Sequence, residues 1–491
     1  ARGSPQVNHL LFADDTMFFC KANGRSCKEL KKILDKYEAV SGQLINLQKS
    51  SITFSNKTPQ VTRVLVKDLL QIEKEGGVGK YLGLPEHFGR KKKDLFTAIV
   101  DKIRQKAASW STKRLSSAGK MIMLKSVLAA MPTYAMSCFK LPQSLCKRIQ
   151  SALTRFWWDS DPEKKKMCWI SWKKMAKPKH LGGLGFKDIN NFNDALLAKL
   201  SWRILNNPHC LLARILAGKY HAHSSFLEST IPNSASHGWR SICIGRDLMI
   251  KQLGWVIGNG ESIRIWDDPW LSLTTPCQPI GPPTQEAQKL KVSDLFLPHS
   301  VIWDPVKVQF YLPEYKDYIL TLKPSRLGAA DKRRWLGNPS GEYTTRSGYI
   351  AAAELLESQN PLAFTPAINW NQQVWKLRAS PKVKVFIWKS LQGALPVGAQ
   401  LETRCIPVDP KCCRCEDPET ILHLLFHCNF ARAVWQQAQF SEDFVSSLCE
   451  SVRDGLAVAQ TRVTLPPVGL DRGVLYPWIC WALWIARNQK I

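Results

Sequence analysis

The stretch His9-Leu10-Leu11-Phe12-Ala13-Asp14-Asp15-Thr16-Met17-Phe18-Phe19 sets two adjacent carboxylates between two short apolar runs. Apolar, aromatic-rich runs around a two-residue break read as a β-hairpin. Tight hairpin turns prefer Asn-Gly, Asp-Gly or Gly-Gly because they need positive φ. Asp-Asp at a hairpin tip departs from that rule, and two like charges side by side repel. A hard divalent cation such as magnesium, which takes oxygen ligands, would neutralise the pair. In two-metal nucleotidyl transfer, carboxylates hold ions that activate the attacking hydroxyl and stabilise the leaving group. An acidic surface turn is the other reading, and a four-letter motif alone does not separate the two.

The chain around this stretch has 491 residues, enough for several domains at roughly 100–200 residues each. Its 68 Lys+Arg against 40 Asp+Glu leave a net charge of +28, an excess that points to a polyanion, most simply nucleic acid. No apolar run approaches the roughly 20 residues of a membrane span, and no amphipathic basic anchor stands out, so no membrane partner is expected. No signal peptide is visible, since Ala1-Arg2-Gly3-Ser4-Pro5 precedes any apolar core. The chain does not open on Met, as a truncated chain would not. Fifteen cysteines, an odd number scattered over the whole length, do not make a secreted disulfide framework. A reducing compartment, nucleus or cytoplasm, is expected.

After the hairpin, Ser26-Cys27-Lys28-Glu29 fits a capping box, with Leu30, Ile33, Leu34 and Tyr37 at helical spacing and Ser41-Gly42 as the stop. Ile45 to Ser50 leads into the strand-like Ile52-Thr53-Phe54 and carries Lys49. From Gly89 to Lys125 come Arg90, Lys91, Lys92, Lys93, Lys102, Arg104, Lys106, Lys113, Arg114, Lys120 and Lys125, against two acids, Asp94 and Asp101. Met121, Leu124, Leu128 and Met131 mark an amphipathic helix stopped by Pro132. A helix with one apolar face and dense positive charge elsewhere suits phosphate contacts, which give affinity without sequence information. The plainer alternative is a solvated basic face.

Further on, Lys177 to Phe186 contains Gly182, Gly183 and Gly185 but no Gly-Lys-Ser/Thr, so a tight turn before a helix at Asn193–Leu205 is expected rather than a phosphate loop. Trp255 to Trp266 reads as a hairpin turning at Asn259-Gly260. Asp267-Asp268-Pro269 reads as a turn without metal, because no apolar strand returns from it. Residues 274–291, with Pro276, Pro279, Pro282 and Pro283, read as a linker. Pro381 to Trp388 is a helix with an apolar stripe, and Trp478, Trp481 and Trp484 recur at helical spacing near the end.

Cys412, Cys415, His423 and Cys428 form the pattern C-x2-C-x7-H-x4-C. The C-x2-C spacing lets two thiolates clamp one ion, and Cys₃His is a closed tetrahedral set suited to structural zinc. Cys413 would leave one residue before Cys415, a strained clamp. His427 lies beside Cys428, so the two cannot easily share an ion. A helix with buried thiols, or a decayed site that binds nothing, are the readings without metal.

Together these segments resemble plant non-LTR (LINE-type) retrotransposon reverse transcriptases. Phe12-Ala13-Asp14-Asp15 is similar to their palm motif, Lys80 to Pro85 to the segment that grips the primer end, and Pro178 to Arg203 to "PKxxGGLGF…FNxALLAKxxWR". The Cys/His pattern, with Trp435 beyond it, resembles the zinc-binding domain that follows the polymerase. The resemblance implies that Asp14 is a magnesium ligand with Asp15 beside it, and that Lys49 matches a basic residue able to neutralise the leaving pyrophosphate. A solvated surface lysine is the other reading of Lys49. It implies an α+β, mainly helical chain: the C-terminal part of the palm over 1–57, a basic helical thumb over 58–180, a Trp-rich connection over 181–365, the zinc-binding domain over 366–436 and a helical tail over 437–491. The implied partners are an RNA template with a DNA primer, or their hybrid duplex. They would be held by Arg90, Lys91, Lys92, Lys93, Lys102, Arg104, Lys113 and Arg114. The implied cofactors are structural zinc and, once the palm is complete, magnesium. A palm needs another aspartate and nucleotide-binding fingers that this sequence begins too late to contain, so no independent polymerase activity is expected. A non-catalytic nucleic-acid-binding remnant of a transposable element is the alternative.

Overall fold

The computed structural model describes residues 3–76, 80–85, 96–109, 115–159, 165–358 and 368–491. Among these the chain is mainly helical, with three two-stranded antiparallel sheets. It divides into two compact units, each assembled from separated segments. The first comprises 1–96, 137–140 and 195–348, and the second 97–136, 141–194 and 349–491.

In the first unit, strands His9–Phe12 and Asp15–Phe18 pair in the register Phe12↔Asp15, Leu10↔Met17. The turn is therefore Ala13-Asp14, with Ala13 at φ 51°, and Asp15 already belongs to the returning strand. This moves the expected Asp-Asp tip by one residue. Both faces of the hairpin are open to solvent, with Leu11 67% and Phe12 62% exposed.

The helix Gly24–Ser41 starts three residues earlier than the capping box implies, because Asn23 Oδ1 accepts the Ser26 N–H at 2.8 Å and serves as the cap. It ends at Gly42, whose φ of 70° suits a residue without a Cβ. Its apolar stripe is only partly used. Cys27 is buried with Val66 and Leu70 of the helix Gln60–Leu70, whereas Ile33 and Tyr37 lie in solvent.

Another core of this unit gathers Trp255, Ile263, Ile265, Trp270, Val292, Leu295, Val308 and Ile319. Strand Leu253–Val256 pairs with Lys332–Trp335, not with residues 263–266 as the local pattern suggests. The Asn259-Gly260 turn exists, but a distant carboxylate holds it. Asp331 accepts the backbone N–H groups of Gly258, Gly260 and Ser262 at 2.6, 2.9 and 2.8 Å. The proline-rich stretch 274–291 is not a free linker. Ala287 is buried, Cys277 and Leu290 pack on the core, and the Cys277 carbonyl accepts the Leu271 N–H. Asp267-Asp268 is a turn whose Asp268 carboxylate accepts the Trp255 indole N–H and the Arg264 backbone N–H.

In the second unit, the helix Thr97–Ser109 buries Val100 and Ile103 and packs on the helix Gln143–Trp158. The helix Ser117–Met123 runs on through a π-turn over Leu124–Leu128, which buries Leu124 and Leu128. The glycine-rich stretch is a turn packed against its neighbours. A Cβ at Gly183 would lie 1.9 Å from the Lys177 carbonyl oxygen, so no larger residue fits. The Gly182 carbonyl accepts the Trp388 indole N–H and the Gln392 side-chain amide, both at 2.8 Å. This secures the helix Pro381–Leu391, whose Val383, Val385, Phe386, Ile387 and Trp388 are buried. The C-terminal helix Tyr476–Lys490 packs on that helix, with Phe386 meeting the rings of Trp481 and Trp484. Its buried face is Tyr476, Ile479, Cys480 and Leu483, and Trp478 faces solvent.

Candidate metal centre

The segment from Lys411 to Trp435 builds one compact site in the second unit. Lys411 and Pro418 form a β-bridge. Inside it the Cys412 N–H donates to the Asp417 carbonyl at 2.7 Å, and the Glu416 N–H returns to Cys412 at 3.0 Å. Glu416 takes φ 60° to close the loop. Such a turn aims Cys412 and Cys415 at a common point.

The other two residues come from a helical turn of unusual pitch. His423 to His427 is a π-turn, and the Cys428 N–H donates to the His423 carbonyl at 2.8 Å. In an α-helix five residues rotate by about 500°, leaving positions i and i+5 about 140° apart. The wider π-turn, common at functional sites, brings His423 and Cys428 back toward one side. It rests on buried Leu424, Leu425 and Phe426, with Leu422 half-buried. Trp435 stacks on Phe426 with ring centroids 5.6 Å apart and donates its indole N–H to the Leu425 carbonyl at 2.7 Å.

The result is that one ligand atom from each of Cys412, Cys415, His423 and Cys428 lies within 4.8 Å of all the others. Cys428 Sγ is 3.9 Å from Cys412 Sγ and 3.7 Å from Cys415 Sγ. These are not disulfides, and all three thiols are free. Two sulfurs each about 2.3 Å from a shared tetrahedral zinc would be about 3.8 Å apart. Cys415 Sγ and His423 Nε2, at 3.1 Å, stand closer than the roughly 3.6 Å of a shared ion, so metal would spread them slightly.

The electrostatics fit the same group. Burial, followed by the neighbouring Cys412 and Cys428 sulfurs, pushes the Cys415 thiol up to about 12, although the Asp417 backbone hydrogen-bonds to it. Thiolates crowded here are disfavoured without a cation, and a divalent ion reverses that preference. Burial lowers the pKa of His423, which favours the neutral imidazole a metal needs. His427 points elsewhere, its Nε2 donating to the Cys449 carbonyl at 2.8 Å, and Cys413 is exposed.

The remaining predicted residues are not gathered in this way. Asp14, Asp15 and Lys49 are all exposed, and no ion pair joins Lys49 to either carboxylate. Lys102 and Arg104 lie on the solvent side of the helix Thr97–Ser109. Arg90, Lys91, Lys92, Lys93, Lys113 and Arg114 lie outside the described residues. Two members of the basic stretch turn inward instead. Lys120 is buried with its ammonium donating to the Asp159 carbonyl, and Lys125 donates to the Leu184 carbonyl at 2.6 Å.

Sequence reasoning missed a brace beside the metal centre. Glu419, 1% exposed, accepts Arg487 Nε and Nη2 and the Gly398 N–H. Glu419 stands in the motif, but its partners come from 21 and 68 residues away, and no local signal pairs them.

The family profile described as zinc-binding in reverse transcriptase matches residues 343–435. A protein of Arabidopsis thaliana named "Putative ribonuclease H protein" is 30% identical over 385 residues, which are 74% of this chain and 60% of that relative. The chain thus spans about 60% of that relative's length. An "Uncharacterized mitochondrial protein" of the same plant is 47% identical over 153 residues, 31% of this chain and 99% of the relative. No helix among the described residues is long and apolar enough to cross a membrane.

Proposed function

The chain belongs to the plant retroelement reverse-transcriptase family, and from that premise we propose that it holds template–primer nucleic acid for a LINE-type RNA-directed DNA polymerase. A basic helical surface that includes Lys102 and Arg104 contacts the phosphates of an RNA–DNA hybrid, and a structural zinc site stiffens the unit behind it. The observation that carries this reading is the convergence of Cys412, Cys415, His423 and Cys428 within 4.8 Å, inside the segment that matches the zinc-binding profile. Three sulfurs and an imidazole favour zinc over hard cations, and four protein ligands leave no position for a reacting water. Zinc bound there supplies folding free energy rather than chemistry.

Asp14 and Asp15 are the proposed magnesium ligands of the polymerase centre, with Lys49 neutralising the leaving pyrophosphate. Among the described residues no third carboxylate approaches them, and both hairpin faces are open. The 491-residue chain by itself is therefore expected to bind a hybrid without extending its primer. The same openness favours the second reading, a binding protein without catalysis.

The test measures hybrid binding against salt, together with primer extension in magnesium and deoxynucleotides. Salt-sensitive binding without extension is expected. Extension that Asp14→Ala abolishes would overturn the inactivity, and absence of salt-sensitive binding would overturn the nucleic-acid reading.

A further inference from the structure

A second concave site lies in the same unit, separate from the four metal-facing residues. It is a cleft of about 380 Å³ lined by Thr154, Cys168, Trp169, Trp172, Lys174 and Arg404 among others. That volume falls within the roughly 300–1,000 Å³ of small-ligand sites. Its wall is the irregular segment running through Cys168 and Trp169 to Ser171, which caps the short helix Trp172–Ala176.

Arg404 organises this wall. Its Cζ lies 5.0 Å from the centroid of the Trp169 ring, and its two terminal nitrogens donate to the Cys168 and Trp169 carbonyls at 3.4 and 3.2 Å. The guanidinium is thus held by neutral acceptors. Among the described residues no ion pair joins a carboxylate to Arg404 or to Lys174, and no acid lines the cleft. The site therefore offers a half-buried indole, a guanidinium plane and an exposed ammonium within one concavity.

We propose that this cleft binds one unpaired nucleotide of a single nucleic-acid strand, with its base against Trp169 and Arg404 and its phosphate toward Lys174. Bases stack on indole and guanidinium planes alike, and cations beside the stack follow the backbone. A duplex buries the faces of its bases and has nothing to insert here. The proposal rests on the nucleic-acid reading above and adds the strand state and the residues that read it. Arg404 follows the helix Gly398–Glu402, whose first N–H groups are tied to Glu419, so the folding of the metal segment also positions this cleft.

The test uses the full chain with labelled oligouridylate and oligothymidylate, each about ten nucleotides long, and an RNA–DNA hybrid as comparison. Trp169→Ala should weaken binding to the oligonucleotides by on the order of tenfold, the loss expected for one stacked base. Trp169→Phe, which keeps an aromatic face, should stay within about threefold of the parent, and hybrid affinity should change less than about twofold. Lys174→Gln should lower the salt slope for the oligonucleotides by about one unit. Equal losses on uridylate and thymidylate assign the contact to the base, and a loss on uridylate alone assigns part of it to the 2′-hydroxyl. Either pattern supports the cleft. Parent-like binding by Trp169→Ala, or an equal loss on hybrid and single strand, overturns it. Parent protein that binds hybrid but not single strands also overturns it and leaves the nucleic-acid reading standing. Binding to neither probe removes both.

Discussion

Arg487, four residues from the end of the chain, closes on Glu419 in the middle of the metal segment. Its Nε lies 2.7 Å from Oε1 and its Nη2 2.5 Å from Oε2. The Glu419 side chain is 2% exposed and that of Arg487 12%. The pair ties the C-terminal helix to the loop between the two halves of the Cys/His set, and the Arg414 guanidinium donates to the Ala486 carbonyl alongside it.

Removing one partner of such a pair leaves an uncompensated buried charge, which costs about 3–5 kcal/mol. Arg487→Ala should therefore lower the unfolding free energy by that order in a denaturant titration. Glu419→Gln combined with Arg487→Met should recover part of the loss. A variant as stable as the parent would mean that the pair contributes nothing net.

His427 and His423 should behave oppositely. His427→Ala removes a hydrogen bond to the Cys449 carbonyl and should leave bound metal near the parent level. His423→Ala removes a nitrogen 3.1 Å from Cys415 Sγ and should lose it. Metal retained by the His423 variant and lost by the His427 variant would reverse the ligand assignment.

The metal site was legible because it is local. Four residues within seventeen positions carry its geometry, and the spacing argues against Cys413 and His427 before any fold is known. The turn at Gly182 to Gly185 was legible for the same reason. Strand pairing was not. The Asn259-Gly260 turn predicts a local hairpin, yet Trp255 pairs with Arg333, and Asp331 holds the turn from 71 residues away. Composition also overstated the basic face. Lys120 and Lys125 count toward the charge but point at backbone carbonyls, a choice that packing makes and spacing cannot reveal. The helical spacing of Trp478, Trp481 and Trp484 did not show which stripe the core takes, which is that of Tyr476, Ile479, Cys480 and Leu483.

Two half-buried amines set a pH dependence. Burial, then Lys179, lowers Lys125 to about 8, and burial, then Lys120 and Lys166, lowers Lys389 to about 8. An unfolded lysine titrates near about 10.4, so between the two values the unfolded chain binds more protons. Stability contributed by each group therefore rises as pH climbs from about 8 to about 10.4 and is flat below. Lys389→Met removes one such contribution. The unfolding free energy of the parent minus that of the variant should increase across this window, and a difference flat with pH contradicts the assignment.

Lys102 and Arg104 should contribute to binding through charge. Replacing both by Gln should lower the slope of log affinity against log salt for a hybrid duplex by about one unit per lost phosphate contact. Lys125→Met should leave that slope unchanged, because its ammonium is committed to the Leu184 carbonyl. An unchanged slope in the double variant would remove the helix Thr97–Ser109 from the interface.

The proposed structural zinc site consists of Cys412, Cys415, His423 and Cys428. Its most direct test is the metal content of the purified chain, measured beside Cys415→Ser with protease mapping of both. One zinc per parent chain is expected, lost in the variant together with protection of the segment around residues 405–435 and with the helix Thr97–Ser109 still protected. A parent chain without zinc, or a Cys415→Ser variant that keeps it, would mean that these four residues do not hold the ion.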